Sequence, residues 1–243
     1  MVAKTVRQHE ANRDALVQTL HELLSNDERV VAAWLTGSLG RQQPDALSDV
    51  DLSVVLSEGR SLVEHARGFI MMVAIPVNIH GAPQNAPAGG MLLSVLYEPG
   101  IVVDWAFIPE ESALRPKNSL LLFERRRIRT GETIEFGKPI PKKLDNRISF
   151  FWNLAAVTAK AILRENTEKS EEFLKALAST IEEIIAFLNK PGIRDQNIPF
   201  VPATSKQAKE LIKLCHQVTR LTGRSQEAFD TILALLQLQN TEI

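Results

Sequence analysis

The chain has 243 residues, 44% of them hydrophobic and 23% charged, with a formal net charge of -1. That length and balance suit one large globular domain or two smaller ones, and they argue against a protein that holds long nucleic acid, while leaving room for a short RNA or a local basic patch. A single cysteine, Cys215, excludes an internal disulfide, and the longest apolar stretch, 69–77, contains Pro76 and is too short to span a bilayer.

The opening MVAKTVRQHEANRD is polar and charged, unlike a signal peptide, so the chain reads as a soluble cytoplasmic protein. Leu16, Val17, Leu20, Leu23 and Leu24 recur at helical spacing and predict an amphipathic helix over 9–25. Residues 30–36, VVAAWLT, predict a first strand, and Gly37-Ser38-Leu39-Gly40-Arg41 a short helix or tight turn. A polar loop with Pro44 and Asp45 leads to a second strand over 49–56, DVDLSVVL. A short helix is expected from Ser61 to Gly68, a strand broken at Pro76 over 69–79, and a loop over 80–90. The runs 91–97 and 101–108 flank Glu98-Pro99-Gly100 and predict a β-hairpin. Residues 120–143, basic and interrupted by Gly131, Gly137, Pro139 and Pro141, read as an irregular connection.

From about 145 the pattern becomes helical. Helices are expected over 145–165 and over 168–189, the second ended by Pro191-Gly192. A third starts at a capping box of Thr204 and Gln207 and stops at Gly223, and a fourth covers 226–239. Strands followed by helices, with no βαβ alternation, predict an α+β chain: a strand-rich domain over 1–143, then a helical bundle over 144–243.

The second strand poses a physical problem. Asp49 and Asp51 sit within an apolar run, and burying unpaired charge is costly. Two apart in a strand, they share a face and repel. A third isolated acid, Asp104, lies mid-strand in the predicted hairpin. If these strands are neighbours, three carboxylates converge, a donor set suited to magnesium. The plainer alternative is strand-end acids facing solvent or paired with arginine. Gly37 can let backbone approach a ligand, Ser38 can cap the next helix, and Arg41 can reach phosphate. Taken alone, that stretch is equally an ordinary turn with a serine cap.

Together these features resemble the DNA polymerase β-like nucleotidyltransferase superfamily. Within it, the likeness is to the small-molecule antibiotic nucleotidyltransferases of the aminoglycoside and lincosamide type, similar to kanamycin nucleotidyltransferase. The matching residues are Gly37, Ser38, Arg41, Asp49, Asp51 and Asp104, within residues 10–110. Gln42 departs from the pattern, since many relatives carry glycine there. Past 145 only the general plan matches, a helical bundle that closes the cleft.

The resemblance implies transfer of a nucleoside monophosphate, usually AMP from ATP, to a hydroxyl of a small acceptor, with release of pyrophosphate. It implies that Gly37 and Ser38 meet the triphosphate, that Asp49 and Asp51 bridge two magnesium ions, and that Asp104 holds the ion near the attacking hydroxyl. Relatives often set a lysine of the first bundle helix against the triphosphate, which makes Lys160 the candidate here; a solvent-facing lysine is the alternative. Phe150, Phe151 and Trp152 could stack on a base or acceptor, but core packing is the preferred reading for at least two of them. Arg125, Arg126, Arg127 and Arg129 read as a solvated face more readily than a phosphate or RNA patch. The five histidines show no zinc-ligand spacing, and Cys215 reads as core. Expected partners are a nucleoside triphosphate and a small hydroxylated acceptor, on a monomer or homodimer, with no membrane. Antibiotic resistance is one outcome of such chemistry. Two alternatives stay open: transfer to tRNA or protein, and a non-catalytic, antitoxin-like member of the fold.

Overall fold

A computed structural model describes residues 5–57, 62–81, 89–132, 143–189 and 205–238. The chain divides into two compact units. One lies within Val6–Tyr97 and Ile101–Ile140; the other lies within Pro141–Ile243 and takes in Thr5 and Glu98–Gly100.

The first unit is built on a six-stranded mixed sheet. Its strands are β1 (Val30–Leu35), β2 (Val50–Leu56), β3 (Pro76–Gly81), β4 (Met91–Tyr97), β5 (Ile101–Pro109) and β6 (Leu120–Glu124), in the order β3-β4-β5-β2-β1-β6. β2 and β5 run parallel, and every other neighbouring pair is antiparallel. Helices α1 (Val6–Asn26) and α3 (Leu62–Val73) cover one face. Leu20, Leu24, Ala66, Phe69 and Ile70 bury there against Val54, Val103, Trp105 and Phe107. The Tyr97 hydroxyl donates to the Ile70 carbonyl at 3.1 Å, which ties α3 to β4. The opposite face carries a smaller apolar cluster that includes Trp34, Val55, Ile108 and Ile128. Between β1 and β2, Gly37–Gly40 forms the one-turn helix α2.

Three expectations need correcting in this unit. Residues 69–73 continue α3 rather than starting a strand. Ala66, Phe69, Ile70 and Val73 recur at three and four residues, so a helix buries them on one side, while Met71 and Met72 face outward at 56% and 65% exposure. Pro76 opens β3 instead of breaking it. β3 is an edge strand, where a missing N–H costs least. His80 and Gly81 close that strand and do not belong to the predicted loop, whose residues 82–88 lie outside those described. Residues 120–124 pair with β1 as β6 and are not an irregular connection. Leu120 and Leu122 alternate toward the core, a signal hidden by the arginines that follow. Of those arginines, Arg126 pairs with Glu110 at 3.0 Å, and Arg125 donates to the Ser25 carbonyl and lies over the Phe123 ring.

The second unit contains α4 (Leu144–Leu163), α5 (Thr167–Leu188), α6 (Lys206–Thr222) and α7 (Gln226–Leu236), the four helices expected. Phe151 and Trp152 are fully buried, with rings edge-to-face at 5.2 Å, as core packing requires. Cys215 is buried too, and burial pushes its thiol far above the usual range. Ser205, not Thr204, caps α6 by accepting from the Ala208 N–H at 3.1 Å; Thr204 and Pro191-Gly192 lie outside the described residues. α6 ends at Gly223, whose φ of 64° suits a left-handed cap. Among the described residues, no helix is long and apolar enough to cross a membrane.

Candidate active site

β1 and β2 deliver the first two acids through a short, tightly bonded turn. The Thr36 N–H donates to the Asp51 carbonyl at 2.9 Å, closing the ladder just as β1 ends. The backbone then enters α2 at Gly37, with φ at +59°. A Cβ on Gly37 would stand 1.9 Å from Asp51 Oδ2, so the glycine is what lets the turn lie against that carboxylate. Ser38 is inside α2 and does not cap it. The cap position is Thr36, whose side chain makes no capping bond. Ser38 instead offers its carbonyl to the Gln43 N–H at 2.9 Å.

Gln42 has φ of 57°, a backbone conformation that glycine adopts at little cost. Gln42→Gly is expected to raise stability by up to about 1 kcal/mol, the left-handed strain relieved less the added freedom of the unfolded chain. Urea unfolding measures it, and a lower midpoint would show that the Gln42 side chain makes contacts worth more than the strain.

β2 begins at Val50, so Asp49 stands one residue ahead of the strand rather than within it. Asp51 and Asp104 are direct partners across the parallel β2–β5 ladder and so project from one face. That face is the one α1 and α3 do not cover. All three carboxylates are half-buried. Burial raises the Asp51 pKa to about 6, helped by the charges of Asp104 and then Asp49, while the exposed Arg41 opposes the rise. Asp51 therefore feels the charges of three other candidate residues, Asp104, Asp49 and Arg41.

Among the described residues, no three acid, histidine or cysteine side chains stand close enough, as oriented, to enclose a metal ion on their own. The donor chemistry nevertheless fits a hard divalent cation. Magnesium typically takes one or two carboxylates and completes its shell with water and substrate phosphates. Burial and the repulsion of Asp104 and Asp49 lift Asp51, and a bound cation would offset both.

One contributor escaped the sequence reading. Arg13 of α1 is buried, and its guanidinium donates to the Asp45 carbonyl and pairs with Asp14 at 2.8 Å. Asp45 in turn accepts from the Leu47 N–H at 2.9 Å and the Ser48 hydroxyl at 3.0 Å. Arg13 thereby pins the loop that leads into Asp49. Its signal was available, because Arg13 precedes Leu16, Val17 and Leu20 by three, four and seven residues and so lies on the apolar helix face. Lys160 belongs to the helical unit, in the last turn of α4, and is fully buried, so it is not the solvent-facing lysine of the alternative.

Residues 11–177, more than half of the chain, match the streptomycin adenylyltransferase family. The chain belongs to this family. The matched span contains every candidate residue, from Gly37 to Lys160. Membership in the streptomycin adenylyltransferase family bears out the resemblance to small-molecule nucleotidyltransferases. No curated protein matches the chain. Among solved structures, an aminoglycoside 6-adenyltransferase from Bacillus subtilis is 13% identical, with 91% of each chain covered and a TM-score of 0.31.

Proposed function

We propose that this chain transfers AMP from ATP to a hydroxyl of an aminoglycoside-like small molecule and releases pyrophosphate. The observation that carries the reading is the in-register pairing of Asp51 with Asp104, beside a glycine turn that lies directly against the Asp51 carboxylate. Family membership supplies the reaction class.

In this proposal Asp49, Asp51 and Asp104 would hold two magnesium ions. Such ions, when bound, neutralise charge on the transferring phosphate and lower the pKa of a coordinated hydroxyl. The chain's own groups do the rest. Gly37 and Ser38 present a turn with little side-chain bulk to the triphosphate. Arg41, exposed beside the acids, supplies a planar cation for phosphate oxygens. The acceptor hydroxyl attacks the α-phosphorus in line, pyrophosphate leaves, and Asp104 or a nearby acid takes the hydroxyl proton. Residues from 144 onward form a second domain that contributes to substrate binding. An enzyme that draws on ATP in this way works in the cytoplasm.

The test is incubation with each labelled nucleoside triphosphate and magnesium, across panels of aminoglycosides, lincosamides and RNA. Label on an aminoglycoside, dependent on magnesium, is the expected result. Label on RNA would replace the small acceptor with a macromolecule. No transfer and no nucleotide binding by calorimetry would leave a non-catalytic member of the fold.

A further inference from the structure

The acids do not stand alone on their face of the sheet. The ladders place four polar residues in one register row: His80 of β3 opposite Ser94 of β4, Ser94 opposite Asp104 of β5, and Asp104 opposite Asp51 of β2. Directly paired residues project from the same face, so all four share it. Along β4 and β5 the residues flanking this row, Val95, Val103 and Trp105, turn to the helix-covered core. His80 is buried at 4% exposure, and Ser94 is half-buried.

The row has a direction. The sheet order places β1, and the Gly37–Arg41 turn that follows it, beyond Asp51 on the side away from Asp104. If phosphates lie over that turn, Asp104 stands between them and the β4–β3 end. A second substrate that reaches Asp104 then comes from that end. At about 4.8 Å per strand, Ser94 neighbours Asp104 directly and His80 stands about 10 Å from it. That is too far for His80 to take a proton from the attacking hydroxyl, but within the span of a ligand whose hydroxyl is at Asp104.

We propose that Ser94 and His80 bind the acceptor and contribute to its selection. This assignment rests on the nucleotidyl-transfer reading above. A hydroxyl and an imidazole each donate and accept hydrogen bonds, which suits a compound rich in hydroxyl and amino groups. Neither bears a permanent charge, so selection here is by hydrogen-bond pattern rather than by charge pairing.

The experiment compares His80→Ala, His80→Gln and Ser94→Ala with the wild-type chain. Magnesium–ATP affinity is read by calorimetry, and KM and kcat for the acceptor by transfer to streptomycin and an aminoglycoside panel. His80→Ala is expected to raise acceptor KM about tenfold and Ser94→Ala several-fold, the loss of one or two hydrogen bonds. ATP affinity should stay within about twofold, as expected for side chains that do not touch the nucleotide. His80→Gln, which keeps a donor and an acceptor, should recover most of the loss. An unchanged acceptor KM in folded Ser94→Ala and His80→Ala, or ATP affinity falling in step with it, overturns the assignment while leaving transfer itself standing. If the wild-type chain binds ATP but modifies no acceptor, the small-acceptor reading falls, and this assignment with it.

Discussion

Asp51→Asn is expected to abolish transfer and, at the same time, to make the metal-free protein more stable. The two effects have one cause. Asp51 is held where burial and the charges of Asp104 and Asp49 raise its pKa from 3.8 to about 6. Its ionised form is therefore disfavoured in the native state relative to the unfolded chain. The sign follows. A raised carboxyl pKa means the native state holds its proton more tightly, so stability falls as pH rises from about 4 through 6 and stays low above that. A shift of about two units corresponds to a penalty on the order of 3 kcal/mol at most. Asparagine has no charge to desolvate, so most of this penalty disappears.

Urea unfolding in a chelating buffer between pH 5 and 8 reads the effect directly. The wild-type curve should decline with pH up to about 6 and then level off, and the Asp51→Asn curve should stay flatter and lie above it at neutral pH. Adding magnesium should stabilise the wild type more than the variant. Turnover should fall about 10³-fold or more, since a metal-held charge in the transition state is worth several kcal/mol. Near-wild-type turnover, or a variant less stable than wild type at pH 8, would show that Asp51 is not a strained metal-binding carboxylate.

How far the sequence carried this site depended on the kind of signal. Asp49, Asp51 and Asp104 stood out because charge within apolar runs is improbable without a purpose. The glycine at 37 was legible as a close approach, though what it approaches, the Asp51 carboxylate, needed three dimensions. The capping role given to Ser38 failed because a helix starting at Gly37 draws its cap from Thr36, a shift of two residues that propensity cannot resolve. The order β5-β2-β1 was not legible at all. β2 and β5 are separated by two strands and a helix, and their parallel register decides which acids meet. For the same reason His80 looked like a loop residue, though it ends a strand in register with Ser94 and, through Ser94, with the acids. The end of α3, residues 69–73, and β6 were misread because short apolar runs fit both helix and strand periods until a neighbour selects one. The helical half was easier, because four long amphipathic patterns leave little ambiguity.

Gly37→Ala has the second large effect, and it separates positioning from charge. Alanine keeps every ionisable group of the site, so a purely electrostatic account predicts little change. The geometry predicts otherwise. The new methyl group would sit 1.9 Å from Asp51 Oδ2 and 2.8 Å from its Cγ, inside any tolerable contact. The residue also has φ of +59°, where an L side chain costs about 1–2 kcal/mol. Relief by moving the backbone is resisted, because the Thr36 N–H bonds to the Asp51 carbonyl and the Arg41 N–H to the Gly37 carbonyl at 3.2 Å. The carboxylate must therefore swing away. A displacement of about 1 Å at a reacting centre costs roughly a hundredfold in rate. Turnover should fall by that factor or more, stability by about 2–3 kcal/mol from strain and crowding together, and magnesium should stabilise the variant less than it stabilises wild type. Gly37→Ala combined with Asp51→Asn should then lose little further activity, because both changes remove the same aligned carboxylate. Independent, multiplying losses in the double variant would mean that Gly37 serves the phosphates and not Asp51.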